Sequence, residues 1–151
     1  ESRAKLFDRN IDVYVNAPLV GFLYGRKATK DTLKNPETNQ VYTQHIMGDR
    51  VIYSQDDLIF NYRLIILLDK NYEPDLEKRI DKAFRYMGND EEDRNLFESY
   101  VLGGVDVLYD KLIEGATGPS DYIENLFNFV EEFNDRFNNQ ITEEEILALC
   151  I

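Results

Sequence analysis

Acids, lysines and a single imidazole are the side chains whose spacing in this chain could do chemistry. The run EPDLEK at residues 73–78 has the acid-and-lysine spacing of a metal-dependent nuclease, in which Asp75 and Glu77 would hold Mg²⁺ and activate water. That chemistry presents its carboxylates from strands. Here they open an amphipathic helical pattern, and so short a motif arises readily by chance. His45 is the one histidine in 151 residues, so a His-dependent triad or multi-histidine metal site cannot be built within one chain. Cys150 neighbours Leu149, with Ile146 one turn before it; a buried or incidental thiol is the plainer reading than a nucleophile. Acidic runs at Asp90 to Asp93 and Glu143 to Glu145 fall at helix starts, where solvated carboxylates favour the positive end of the helix dipole. Gly21 with Gly25, and Gly115 with Gly118, lack the company a phosphate loop needs. The sequence therefore predicts no catalytic residue, no metal site and no cofactor.

Arg26, Lys27, Lys30 and Lys34 form the one basic cluster. They are a candidate binding patch for phosphate or an acidic surface, with a solvated helix end and loop as the bland account. Tyr14, Tyr24, Tyr42 and Tyr53 lie in the same region of the sequence and could anchor an interface, although core packing explains aromatics more often.

Charge sets the background for that patch. Residues 1–35 carry seven Lys/Arg against four Asp/Glu and the remainder ten against twenty-five, within a net charge of −12. So acidic a body disfavours direct binding of nucleic acid or an anionic membrane, except locally through residues 26–34, and suits a basic protein partner. One cysteine excludes an intramolecular disulfide framework and points to a reducing, cytoplasmic setting. No run approaches the roughly eighteen apolar residues of a membrane span, and no signal-peptide pattern opens the chain, although a first residue of Glu1 is compatible with trimming.

The elements that must position these groups read as helices. With 43% hydrophobic residues the chain can bury a sizeable core, and the expectation is an all-α single domain over 1–151 with about six helices. Residues 1–10 are expected to be loose, and 28–49 an exposed connection with one short extended piece at 40–47. In 11–27, Ile11, Val15, Leu19 and Phe22 share a face; the helix is either kinked at Pro18 or begins near Asn16 with Pro18 in its first turn. Gly25 there is either a close-approach position or the carboxyl-terminal cap. Ser54 with Asp57 reads as a capping box opening a helix to about Lys70, apolar nearly all round and so the most buried. Pro74 suits the first residue of a helix to about Tyr86, with Leu76, Ile80, Ala83 and Phe84 inward and Lys78, Arg79, Asp81 and Lys82 outward.

The organising helix follows, with Phe97, Val101, Val105, Leu108, Leu112 and Gly104 on one stripe. Gly103 and Gly104 inside a helix cost about 1 kcal/mol each relative to alanine. Close approach of another helix, through Gly21 and Gly25 or from the apolar helix after Ser54, would repay that. Ser120 is expected to cap a further helix bearing Ile123, Phe127, Val130, Phe133 and Phe137, and Thr142 with Glu145 to open a last one over 143–151.

Two stretches resemble the signature segments of the small helical Dnd-system-associated proteins, encoded beside DNA phosphorothioation genes. They are DVYV followed by GFLYGRK in 12–27, and LFESYVLGGVDVL in 96–108. Gly25, Arg26, Phe97, Glu98, Tyr100, Gly103 and Gly104 match the family pattern, while Val101 and Leu102 depart from the small and polar residues before its glycine pair. The resemblance implies an accessory role in DNA modification or phage defence and supplies no catalytic residue. Together these readings predict a non-enzymatic accessory or interaction subunit with a protein partner, no membrane, and a homo-oligomer left open. An acidic DNA-mimicking inhibitor and, further off, a metal-dependent nuclease are the rivals.

Overall fold

The computed structural model describes residues 7, 9–30, 32–39 and 56–138. Among them are five α-helices and no strand: α1 (Asn10–Leu23), α2 (Asp56–Leu68), α3 (Leu76–Ile80), α4 (Glu91–Leu112) and α5 (Pro119–Phe137), with a π-helical turn, Asp81–Arg85, continuing α3. The fold is all-α in these residues. Ser54, the extended piece at 40–47 and the helix expected over 143–151 lie outside them, as do His45 and Cys150. The chain divides into two compact units, Glu1–Leu108 and Tyr109–Ile151.

In the first unit each helix end has a chemical cause. The Asp12 carboxylate takes the Arg9 backbone N–H at 3.0 Å and its guanidinium at 2.8 Å, which starts α1 well before Asn16. Pro18 is therefore inside the helix, and buried. Around the break, Asn16 donates to the Asp12 carbonyl at 2.7 Å and Asn61 of α2, itself buried, donates to the Val15 carbonyl at 2.8 Å. Gly25 closes the helix at φ 65°, with Arg26 N–H donating to the Gly21 carbonyl and Gly25 N–H to that of Phe22. That pair of bonds is the Schellman arrangement, and it needs a residue with no left-handed penalty. A Cβ on Gly25 would meet nothing within 4 Å, so of its two expected roles the cap is the one it fills.

Asp75, not Pro74, caps α3, its carboxylate accepting from Glu77 N–H at 2.9 Å and Lys78 N–H at 3.2 Å. The widened turn that follows, closed by Tyr86 N–H on the Asp81 carbonyl, changes which side chains face the interior. Arg79 and Ala83 are buried while Leu76, Ile80 and Phe84 are exposed, the reverse of the expectation for all of these but Ala83. A π turn inserts one residue into the helical repeat and rotates everything after it.

Helix α4 buries Asp93, Leu96, Phe97, Tyr100, Val101, Gly103, Gly104, Val107 and Leu108 in the first unit. Val105, expected on this stripe, is exposed, because the true face is centred on Gly104 and its i±3 and i±4 neighbours. Phe97 is the meeting point of three helices, its ring centroid 6.5 Å from that of Tyr14 and 5.4 Å from that of Tyr62. Where α1 meets α4 the backbones touch. A Cβ on Gly104 would fall inside the Ala17 carbonyl and 2.9 Å from the Gly21 nitrogen; one on Gly21 would strike the Tyr100 carbonyl. Gly103 is closed off in the same way by the Arg26 carbonyl.

The second unit contains the last residues of α4 and all of α5. Pro119 is the first residue of α5, with Gly118 as N-cap in place of the expected Ser120. Asp121 reaches back to accept from Thr117 N–H and hydroxyl, each at 2.8 Å, and from Gly118 N–H at 3.2 Å. Lys111 pairs with Glu132 at 2.6 Å, and Asn125 donates to the Leu112 carbonyl at 3.4 Å.

Candidate functional site

Two trios of aspartate, tyrosine and lysine stand in the first unit, and the sequence announces neither. Asp69 follows the last residue of α2, where the helix dipole is unfavourable to a carboxylate. Its compensation comes from distant parts of the chain. Tyr100 of α4 donates its hydroxyl to Asp69 at 2.8 Å, and Lys27 pairs with the same oxygen at 3.2 Å while lying 4.6 Å above the Tyr100 ring. The other carboxylate oxygen takes the backbone N–H groups of Asn71 and Tyr72, each at 3.1 Å. Burial pushes the Asp69 carboxyl up, but the bonds from Tyr100 and Lys27 outweigh it and hold the group below the usual carboxylate value. Burial and the bond to Asp69 raise the Tyr100 hydroxyl.

Asp93 is the centre of the second trio. It belongs to the acidic run expected to be solvated, and it is fully buried. Tyr72 donates to it at 2.5 Å and Lys82 at 2.6 Å, and Lys82 also reaches the Tyr72 hydroxyl and Asp90, each at 3.3 Å. Burial, with the bond to Asp93, pushes the Tyr72 hydroxyl up to about 12. For Lys82 burial works downward, and the bonds to Asp93 and Tyr72 reverse it, leaving the ammonium raised above its ordinary value. Tyr72 joins the two trios, since its N–H serves Asp69 and its hydroxyl serves Asp93.

What these groups can do follows from those shifts. A general base or nucleophile at neutral pH needs a pKa near the working pH. Tyr72, Tyr100 and Lys82 are all shifted away from it, toward keeping their protons, so they act as fixed donors. Each trio ties segments far apart in sequence, and in a low-dielectric setting such charge-assisted bonds are strong and directional. The signal available beforehand was Asp69 itself, a carboxylate at a helix end that disfavours it.

The basic patch is drawn into the same kind of pairing. Arg26 faces Asp106 at 4.0 Å, Lys27 holds Asp69, and Lys30 pairs with Glu98; Lys34 stands exposed. Tyr14 is buried against Phe97 and Tyr24 is half-buried, while Tyr42 and Tyr53 lie outside the described residues. Asp75 spends its carboxylate on the α3 cap. Among the described residues no three His, Cys, Asp or Glu side chains are grouped to hold a metal, and no helix is long and apolar enough to cross a membrane.

Exposed apolar side chains in helical register mark a different kind of site. Helix α5 has the cleanest apolar face of the chain and no buried residue. Ile123, Phe127 and Val130, at i, i+4 and i+7, are 67%, 61% and 56% exposed, with Tyr122 beside them. One position round the helix, Glu124, Glu131 and Asp135 at i, i+7 and i+11 make a row of exposed carboxylates. Comparison with family models, curated proteins and solved structures gives no match for this chain.

Proposed function

We propose that this chain is a non-enzymatic accessory or protein-interaction subunit, cytoplasmic, and working in a DNA-modification or phage-defence system. The observation that carries the first part is the exposed stripe Ile123, Phe127 and Val130 on a helix with nothing buried. Contiguous apolar surface in regular register is the mark of an interaction site rather than of scattered solvent-facing residues. The Asp, Tyr and Lys groups that could have done chemistry support the same reading, because they are spent holding the fold. The system is suggested by the resemblance to Dnd-associated proteins in Gly25, Arg26, Phe97, Glu98, Tyr100, Gly103 and Gly104. In this reading the Gly103–Gly104 helix is the centre of the scaffold, with a sixth helix counted over 143–151 from its capping-box sequence.

Tagged full-length chain, recovered from its native host, tests the proposal. It should bring down a second protein in constant ratio, encoded close to its own gene. Recovery of the chain by itself at several bait levels overturns the subunit reading. A second reading, an acidic inhibitor that mimics DNA, draws on the net charge of −12. It requires that the chain compete with duplex DNA for the captured protein.

A further inference from the structure

We infer that the α5 face binds a basic amphipathic helix, whose apolar side covers Ile123, Phe127 and Val130 and whose lysines or arginines meet Glu124, Glu131 and Asp135. This rests on the reading of the chain as an interaction subunit and names the chemistry of the partner at that surface.

The apolar stripe and the acidic row are set by the same helix geometry. A step of one residue turns an α-helix by about 100°, so the row at 124, 131 and 135 runs along one edge of the stripe at 123, 127 and 130. From Ile123 to Asp135 the surface is about 18 Å long at 1.5 Å per residue, a length that some three to four turns of a partner helix would span. An apolar seam flanked by charges of one sign is how helix pairs choose their partners, the seam giving affinity and the flanking charges giving identity. On this side the flank is negative throughout. Lys111, the basic side chain near the helix, is already paired with Glu132 at 2.6 Å. The carboxylates of Glu124, Glu131 and Asp135 make no ion pair among the described residues and are exposed, so a cationic partner finds them ready.

Two other occupants fit the charge less well. A second copy meeting this face in antiparallel two-fold register would bring both acidic rows to the same side of the seam, like charge against like. The chain's own residues 139–151 include Glu143, Glu144 and Glu145, which carry the wrong sign. Nucleic acid is excluded from the row by the same repulsion.

Synthetic helical peptides, one with leucine on one face and lysine on its flanks, the other with glutamate replacing lysine, provide the probe. The full-length chain should bind the basic peptide, more weakly as salt rises, and ignore the acidic one. Phe127→Asp should weaken binding about tenfold or more with an unchanged melting temperature. Reversal of the row, as Glu124→Lys, Glu131→Lys and Asp135→Lys together, should switch preference to the acidic peptide. The inference is overturned by equal binding of both peptides, by a preference that survives the reversal, or by no binding of the basic peptide. A dimer in sedimentation that Phe127→Asp dissociates overturns it in favour of a second copy. A melting temperature lowered several degrees by Phe127→Asp overturns it in favour of the chain's own carboxyl-terminal residues. Failure here together with capture of a protein from the native host that Phe127→Asp leaves intact defeats only this partner class. Peptide binding without any native capture defeats the subunit reading instead.

Discussion

Helices α4 and α5 differ in the opposite sense to their sequence patterns. On the page of the sequence α5 is the better amphipathic helix, with five large apolar residues in register and acids opposite. Helix α4 is interrupted by Gly103 and Gly104 and has acids in its first turn. Yet α4 supplies the centre of the first unit's core and α5 buries nothing. The difference teaches that periodicity reports which face of a helix is apolar, while burial depends on whether a partner can come close. Glycines weaken the pattern and permit the approach.

Substituting the glycine contact should break that contrast most severely. Gly104→Leu places a branched side chain where even a Cβ has no room against Ala17 and Gly21. It is expected to cost about 3 kcal/mol or more, read as loss of the cooperative unfolding transition or a large fall in Tm. Val130→Leu on α5 is the matched control and should leave Tm near its starting value. An unchanged Tm for Gly104→Leu would mean that the α1–α4 contact does not hold the unit together.

Removal of the buried carboxylate comes next. Asp93→Ala strands Lys82 and the Tyr72 hydroxyl, and breaking a buried pair from one side costs about 3 kcal/mol. Denaturant melts would register it as a lower midpoint at unchanged slope. Retention of wild-type stability would show the trio to be incidental.

Alkaline pH sharpens the comparison at smaller amplitude. Tyr72 is raised in the folded protein from 10.0 to about 12, so its contribution is full below pH 10 and is lost as pH rises through about 12. Lys82, raised above 10.5, weakens the fold in the same direction. Stability measured by urea melts should therefore fall between pH 10 and 12, and Tyr72→Phe should flatten that fall. An identical pH profile in the variant would remove Tyr72 from the account. Least affected should be α5, where Phe127→Asp is expected to change stability by about 0.5 kcal/mol or less. A larger loss would show that its exposed face is already covered.

Local chemistry was readable where cause and effect lie within a few residues. The Gly25 cap, the acids opening α4 and the apolar α2 helix were all visible in the residues themselves. Errors came where one residue more or fewer rotates a face. The π turn after Ile80 sends Leu76, Ile80 and Phe84 outward and Arg79 inward, and no period-3.6 reading anticipates it. Val105 was misplaced because the stripe was drawn through the large residues rather than through Gly104. The candidate site divides in the same way. The stripe and row of α5 could be placed on one helix from spacing, but the trios could not, since Lys27, Asp69 and Tyr100 are separated by 42 and 31 residues.

From its sequence this chain was determined to be helical, acidic and poor in the groups that nucleophilic or metal chemistry requires, because periodicity, charge and residue inventory are local or additive properties. The tertiary structure decided which apolar face is core and which is surface, and which of the charges are spent inside the fold. Burial and ion pairing are relations between distant segments. A carboxylate such as Asp93 has no fate of its own until Tyr72 and Lys82 are brought to it.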